Sequence, residues 1–206
     1  MPKILSTAFV LLCVATALPA AAADKTPVVT PQDHVLGKAA APITIVEYAS
    51  LTCPHCAAFE KDTLPSVKKN WIDTGKAKLV FRDFPLDRYA LTGSLIAQCA
   101  PPDRYFAFIE SFFDGQDSWV RAGDPVVALK GIARLGGMNE AAVDKCLADE
   151  KLQKTIVRTE MQAKNDYGVD STPTFFIIGA DGANKVVGEE SYDDFSKALI
   201  AASPKS

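Results

Sequence analysis

Hydrophobic positions along the chain fall into two textures, short β-branched runs near both ends and a long helical stretch between them. Ile43-Thr44-Ile45-Val46-Glu47-Tyr48 is a nearly unbroken apolar run, which predicts a buried strand. Lys78-Leu79-Val80-Phe81-Arg82 predicts a second strand, closed off by Pro85. Thr174-Phe175-Phe176-Ile177-Ile178 and Lys185-Val186-Val187 flank Gly179-Ala180-Asp181-Gly182, the composition of a hairpin turn. From 88 to 167 the spacing turns helical, with Tyr105, Phe108, Ile109, Phe112 and Phe113 recurring on one face as expected of a core. Asp124-Pro125 reads as a cap with proline in the first turn, Gly136-Gly137 ends that helix, and Asn139 can cap another that holds Cys146. A polar helix over 152–167 and a closing helix over 191–202 complete the pattern. A further helix opens at residue 53 and reaches about 70, and Pro65 predicts a kink or break near Leu64. The order predicts an α/β unit made of 43–87 and 168–202, with 88–167 as an inserted α-helical domain.

The first 23 residues read differently. Lys3 precedes an apolar stretch over 4–18, and the alanines at 20–23 offer Ala-x-Ala cleavage options just before Asp24. This predicts a cleaved export signal that takes Cys13 with it, and an irregular lead-in over 24–42. The run is short for a bilayer span, and no other segment is long and apolar enough to be one. The mature protein is therefore expected to be soluble and outside the cytoplasm. A net charge of −3 without a basic block argues against nucleic acid as a partner.

Loss of the signal leaves Cys53, Cys56, Cys99 and Cys146. An even count in an exported chain favours disulfides, and no second Cys-x-x-Cys or histidine pair is present to complete a zinc site. Neither metal nor cofactor is expected. Three pairings are open; Cys53–Cys56 with Cys99–Cys146 leaves the Cys-x-x-Cys free to act. Cys53-Pro54-His55-Cys56 follows the first strand and opens a helix, where a thiol at the N-terminus ionises more easily than a free cysteine. Cys53 is then the exposed nucleophile and Cys56 the buried resolving thiol of a disulfide exchange. A purely structural bridge between residues one turn apart would close almost no chain entropy. His55 can donate a hydrogen bond or positive charge to the Cys53 thiolate, which stabilises the reduced pair and makes the disulfide more oxidising. Pro54 occupies a first-turn position that needs no amide donor.

These features, with Thr172-Pro173 ahead of a strand, resemble the DsbA family of thiol:disulfide oxidoreductases over roughly residues 33–201. Glu47, six residues before Cys53, and Glu60, seven after it beside Phe59, look like that family's buried and near-site carboxylates. The resemblance implies a thioredoxin fold with a helical insertion, a cis peptide at Pro173, and a Thr172 backbone that pairs with an extended substrate segment. It also implies a second, non-catalytic disulfide between Cys99 and Cys146, as in a subset of DsbA-like proteins. Many members of the best-known branch carry Val where this chain has Thr172; the isomerase branch and many DsbA-like proteins carry Thr. Glu47, if buried, is suited to relay a proton to or from Cys56; the alternative is a strand residue paired with Arg82. Glu60 is expected to be a solvated helix residue that tunes the site modestly. The implied activity is a monomeric periplasmic dithiol oxidase that gives its disulfide to unfolded exported proteins with free thiols. A membrane reoxidant of the DsbB type would then restore it. The alternatives are an isomerase or reductase on the same scaffold, and a non-catalytic peptide-binding adaptor or chaperone.

Overall fold

The computed structural model describes residues 25–205, so the expected signal, with Cys13, lies outside the described residues. Two β-branched runs form the centre of the sheet: β2 (Ile43–Ala49) and β3 (Ala77–Asp83) pair in parallel, with Val46 opposite Val80 and Glu47 opposite Phe81. The hairpin of β4 (Thr174–Gly179) and β5 (Gly182–Val187) adds to β2 antiparallel, which places Phe175 opposite Glu47 on the other side. The lead-in is not wholly irregular. Its Val35–Leu36 segment, β1, pairs antiparallel with Val80 and Leu79, giving the order β1-β3-β2-β4-β5.

Strand alternation assigns each face its cover. Ile43, Ile45, Leu79, Phe175 and Ile177 point to one face, under the cysteine helix and the last helix, α9 (Tyr192–Ala201). Val46, Tyr48, Val80 and Phe176 point to the other, against Ala163 and Tyr167 of α8 (Glu150–Tyr167). The cysteine helix starts as α1 (Pro54–Ala58), passes through a π turn at Phe59–Thr63 into α2 (Leu64–Val67), and ends in a second π turn at Lys68–Ile72. Pro65 therefore does not break it. The widened turn before the proline takes up the missing N–H and the ring's bulk, so the predicted kink is spread over one loosened turn. Phe59 anchors this helix, its ring centroid 4.4 Å from that of Phe175 and 5.1 Å from that of Phe195.

Between β3 and β4 lie α3 (Arg88–Gln98), α4 (Tyr105–Asp114), α5 (Gln116–Val120), α6 (Pro125–Leu135), α7 (Glu140–Leu147) and α8. Their starts follow the sequence's cap residues: Asp87, Asp124, Asn139 and Asp149 each accept from a first-turn amide. Tyr105, Phe108, Ile109, Phe112 and Phe113 are buried in one cluster that also contains Cys53 and Cys56, so the helical block packs onto the site itself. Cys99, capping α3, is bonded to Cys146 on α7 across a Cα–Cα distance of 6.2 Å. Closing a loop of 47 residues this way is worth about 4 kcal/mol in the chain-entropy model. Among the described residues no helix is long and apolar enough to cross a membrane, and no cluster of His, Cys, Asp and Glu could hold a metal ion.

Candidate active site

The turn after β2 carries the chain into the cysteine helix and is held from three sides. Cys53 N–H donates to Ser50 O at 3.0 Å, and Leu86 N–H donates to Ser50 Oγ at 3.2 Å. From α5, Gln116 Nε2 donates to Leu51 O at 2.8 Å and to Cys53 O at 2.9 Å. Gln116 is a residue that sequence reasoning missed; nothing in its neighbourhood marks it, because its partners lie more than sixty positions away. Cys53 occupies the N-cap position in extended backbone, with Pro54 first in the helix. The Thr172–Pro173 peptide is cis. It sets the Thr172 carbonyl 3.2 Å from Cys53 Sγ, so two loops 119 positions apart meet at the sulfur.

Cys53 and Cys56 are both free thiols in this structure, with 5% and 0% of their surface exposed. The outer sulfur is thus more covered than its place at the head of a helix suggests, because the proline loop closes over it. Their environments drive them apart. Cys53 falls to about 5: the hydrogen bond from the Cys56 thiol lowers it most, burial opposes, and Thr172 with the amides of Cys56 and His55 completes the shift. Cys56 is pushed far up, first by burial and then by its hydrogen bond to Cys53, the charge of Cys53 and that of Glu47. One thiol is held as an anion at neutral pH and its partner as a proton carrier.

Glu47 lies beneath them in the middle of β2, fully buried between Phe81 and Phe175, and neither carboxylate oxygen has a hydrogen-bond partner. Burial raises its carboxyl well above the usual range, with Glu60 adding to the effect. Arg82 is no partner for it. Arg82 opposes Tyr48 in the parallel register, so it projects from the other face of the sheet. There its guanidinium donates to both Asp33 oxygens at 2.9 Å, to Tyr48 Oη at 2.8 Å and to Val28 O at 2.6 Å. Glu60 differs from the sequence expectation: it is half-buried in a cavity of about 320 Å³ walled by Leu64, Phe106 and Ile109. Burial, with Glu110 and Asp114 nearby, lifts its carboxyl to about 8.

His55 is on the exposed side of the turn, where its Nδ1 lies 3.2 Å from Glu189 Oε2. Glu189 belongs to the segment after β5 and was not singled out by the sequence. Chemically, the assembly pairs a thiol shifted toward its anion with a buried thiol and a buried carboxyl that both hold their protons more tightly than usual.

The family profile described as thioredoxin matches residues 29–201. The crystal structure of alpha-DsbA1 from Wolbachia pipientis superposes with a TM-score of 0.77, at 34% identity over 84% of this chain and 92% of that one. A protein-disulfide isomerase from Novosphingobium aromaticivorans superposes with a TM-score of 0.70, at 27% identity over 82% of this chain and 96% of that one. A Rickettsia typhi relative named for protein-disulfide oxidoreductase activity is 31% identical over 82% of this chain. The chain spans only 62% of that relative's length, and about three fifths of the other curated Rickettsia relatives it matches.

Proposed function

We propose, from the premise that this chain belongs to the thioredoxin-fold DsbA family of thiol:disulfide oxidoreductases, that it is an oxidase of exported proteins. The observation that carries this reading is the Cys53 thiol, lowered to about 5 beside the Thr172 carbonyl. A thiolate this stable is a good leaving group and favours the reduced pair, so the Cys53–Cys56 disulfide passes readily to a substrate. In the exchange a substrate thiolate bonds to Cys53 Sγ and the electron pair of the broken disulfide leaves on Cys56, which takes up a proton. The second substrate thiolate then attacks the substrate sulfur of the mixed disulfide, and Cys53 departs as the anion. Glu47, buried and protonated, is the nearby group suited to supply the Cys56 proton and to recover it on reoxidation. The exchange needs no cofactor, since the two electrons pass between sulfurs.

The substrates are unfolded exported proteins with free thiols, bound as an added strand along Thr172. The export pattern of residues 1–23 supports a periplasmic location. The family resemblance supports a membrane reoxidant of the DsbB type and a monomer. An isomerase reading has one observation in its favour, Thr172 before the proline, together with the name of the Novosphingobium relative. The test mixes oxidised protein with a reduced two-cysteine peptide in equal amounts. The oxidase reading expects the peptide disulfide to form within the first turnover, and Cys53→Ser to form none. Failure to oxidise the peptide, combined with efficient repair of scrambled ribonuclease, would favour the isomerase.

A further inference from the structure

We infer, resting on the exchange reaction proposed above, that Glu189 is a positioning residue for it: its carboxylate holds the His55 ring so that Nε2 takes the proton of the incoming substrate thiol. Gly188 has φ +89°, a conformation that glycine adopts freely, and it turns the chain so that its N–H donates to Pro173 O at 2.8 Å. On the other side, Glu190 O accepts from the Thr63 hydroxyl at 2.7 Å. The three-residue segment is therefore pinned at one end to the proline loop and at the other to the cysteine helix. Glu189 sits between the two pins, with Oε2 3.2 Å from His55 Nδ1. An exposed pair of this kind contributes little to stability. Here the backbone fixes where the carboxylate stands, and its use is orientation.

A carboxylate at Nδ1 fixes the ring proton on that nitrogen and leaves the lone pair on Nε2. Nε2 has no hydrogen-bond or ion-pair partner among the described residues. The ring, with 66% of its side chain exposed, belongs to the Cys53–Cys56 turn, and its partner Glu189 follows the Gly188 N–H that is pinned to the proline loop, whose Thr172 O lies 3.2 Å from Cys53 Sγ. The Cys53 anion is held by the Cys56 thiol, Thr172 and two amides, which leaves the ring available for the substrate. The titratable residues of the segments that meet at the ring are Cys53 and Cys56 on its own turn and Glu189 and Glu190 after β5; the proline loop contributes Thr172 and Pro173, neither of them charged. The substrate S–H gives its proton to Nε2, its sulfur bonds to Cys53 Sγ, the Cys53–Cys56 bond breaks, and Cys56 leaves with the electron pair and is protonated. The His55 proton then passes to solvent.

The experiment follows single-turnover oxidation of a reduced two-cysteine peptide by the oxidised full chain from pH 5 to 9. It compares the wild type with Glu189→Gln, His55→Gln and the double variant. A thiol of ordinary acidity is mostly protonated below about pH 8.5, so without a base the rate falls tenfold per pH unit. The wild type is expected to fall less steeply. Glu189→Gln should lower the rate several-fold at pH 6 and by less than twofold at pH 9, where the peptide is already a thiolate. The double variant should be no slower than His55→Gln alone. Superimposable profiles for wild type and Glu189→Gln would overturn the inference. So would an equal loss at pH 6 and pH 9, or the same Glu189→Gln loss in the His55→Gln background. Should the wild type fail to oxidise the peptide at any pH, the oxidase reading falls first and this inference with it; exchange with no His55–Glu189 coupling sinks the inference alone.

Discussion

At the scale of single residues, function turns on how differently two ionisable groups are housed. Cys53 is lowered to about 5, so in the reduced protein it contributes stability that is complete above the unfolded thiol's value and is lost as pH falls through about 5. Reduced protein should therefore melt above oxidised protein at pH 8, with the gap closing by pH 4; calorimetry of the two forms checks this. Glu47 runs the other way. Its carboxyl is raised by burial, so its cost grows as pH rises above the unfolded carboxyl's range toward the folded value. Glu47→Gln should stabilise the protein by about 1–3 kcal/mol at pH 8 and by little at pH 4. The same variant should slow release of the mixed disulfide, seen by trapping it with a peptide. The cysteine pair was legible because its neighbours in sequence, a strand before and a proline after, dictate a helix start. Glu47 was legible as the acid in an apolar run, but its partner was not. Whether Phe81 or Arg82 opposed it depended on a strand register that no local pattern contains.

Secondary elements set how firmly the cysteine turn is held. Gln116 reaches across from α5 to two carbonyls of that turn, so Gln116→Ala leaves Leu51 O without its donor and Cys53 O with the Ala57 amide alone. The expected loss is about 1–3 kcal/mol in urea unfolding, with a slower exchange rate at unchanged net charge. Helix starts were readable from the sequence, since Asp, Asn and Ser caps act on amides two or three residues away. The π turns of the cysteine helix were not, because its course follows how Phe59 and Val67 seat against the sheet and α9 together. The Gly188-Glu189-Glu190 bracket was equally hidden. It needs β5, the proline loop and the cysteine helix in place before its carboxylate meets His55.

Across the whole molecule, a strap and a disulfide tie the parts into one body. Residues 25–36 run from α8, where Lys25 N–H donates to Asp166 O, to the sheet edge at Val35–Leu36, and are latched by the buried Arg82–Asp33 pair. Burial alone would raise the Asp33 carboxyl, but Arg82 and Thr30 more than offset it and hold it below the ordinary range. That contribution is present above about pH 4 and is lost as pH falls further. Asp33→Ala leaves a buried guanidinium without its counter-ion and should cost about 3–5 kcal/mol at pH 7, measured by chemical unfolding. The α/β class and the thioredoxin fold could be read from the alternation of strand and helix runs and from the motif residues. The strap could not, because two residues of strand carry too little pattern to stand out. All these parts serve one quantity, the free energy difference between the closed and open states of Cys53 and Cys56. Equilibrating the protein with reduced and oxidised glutathione measures it directly. The account predicts a potential less negative than about −200 mV, on the oxidising side of the glutathione couple; a value near the −270 mV of a reducing thioredoxin, roughly, would contradict it.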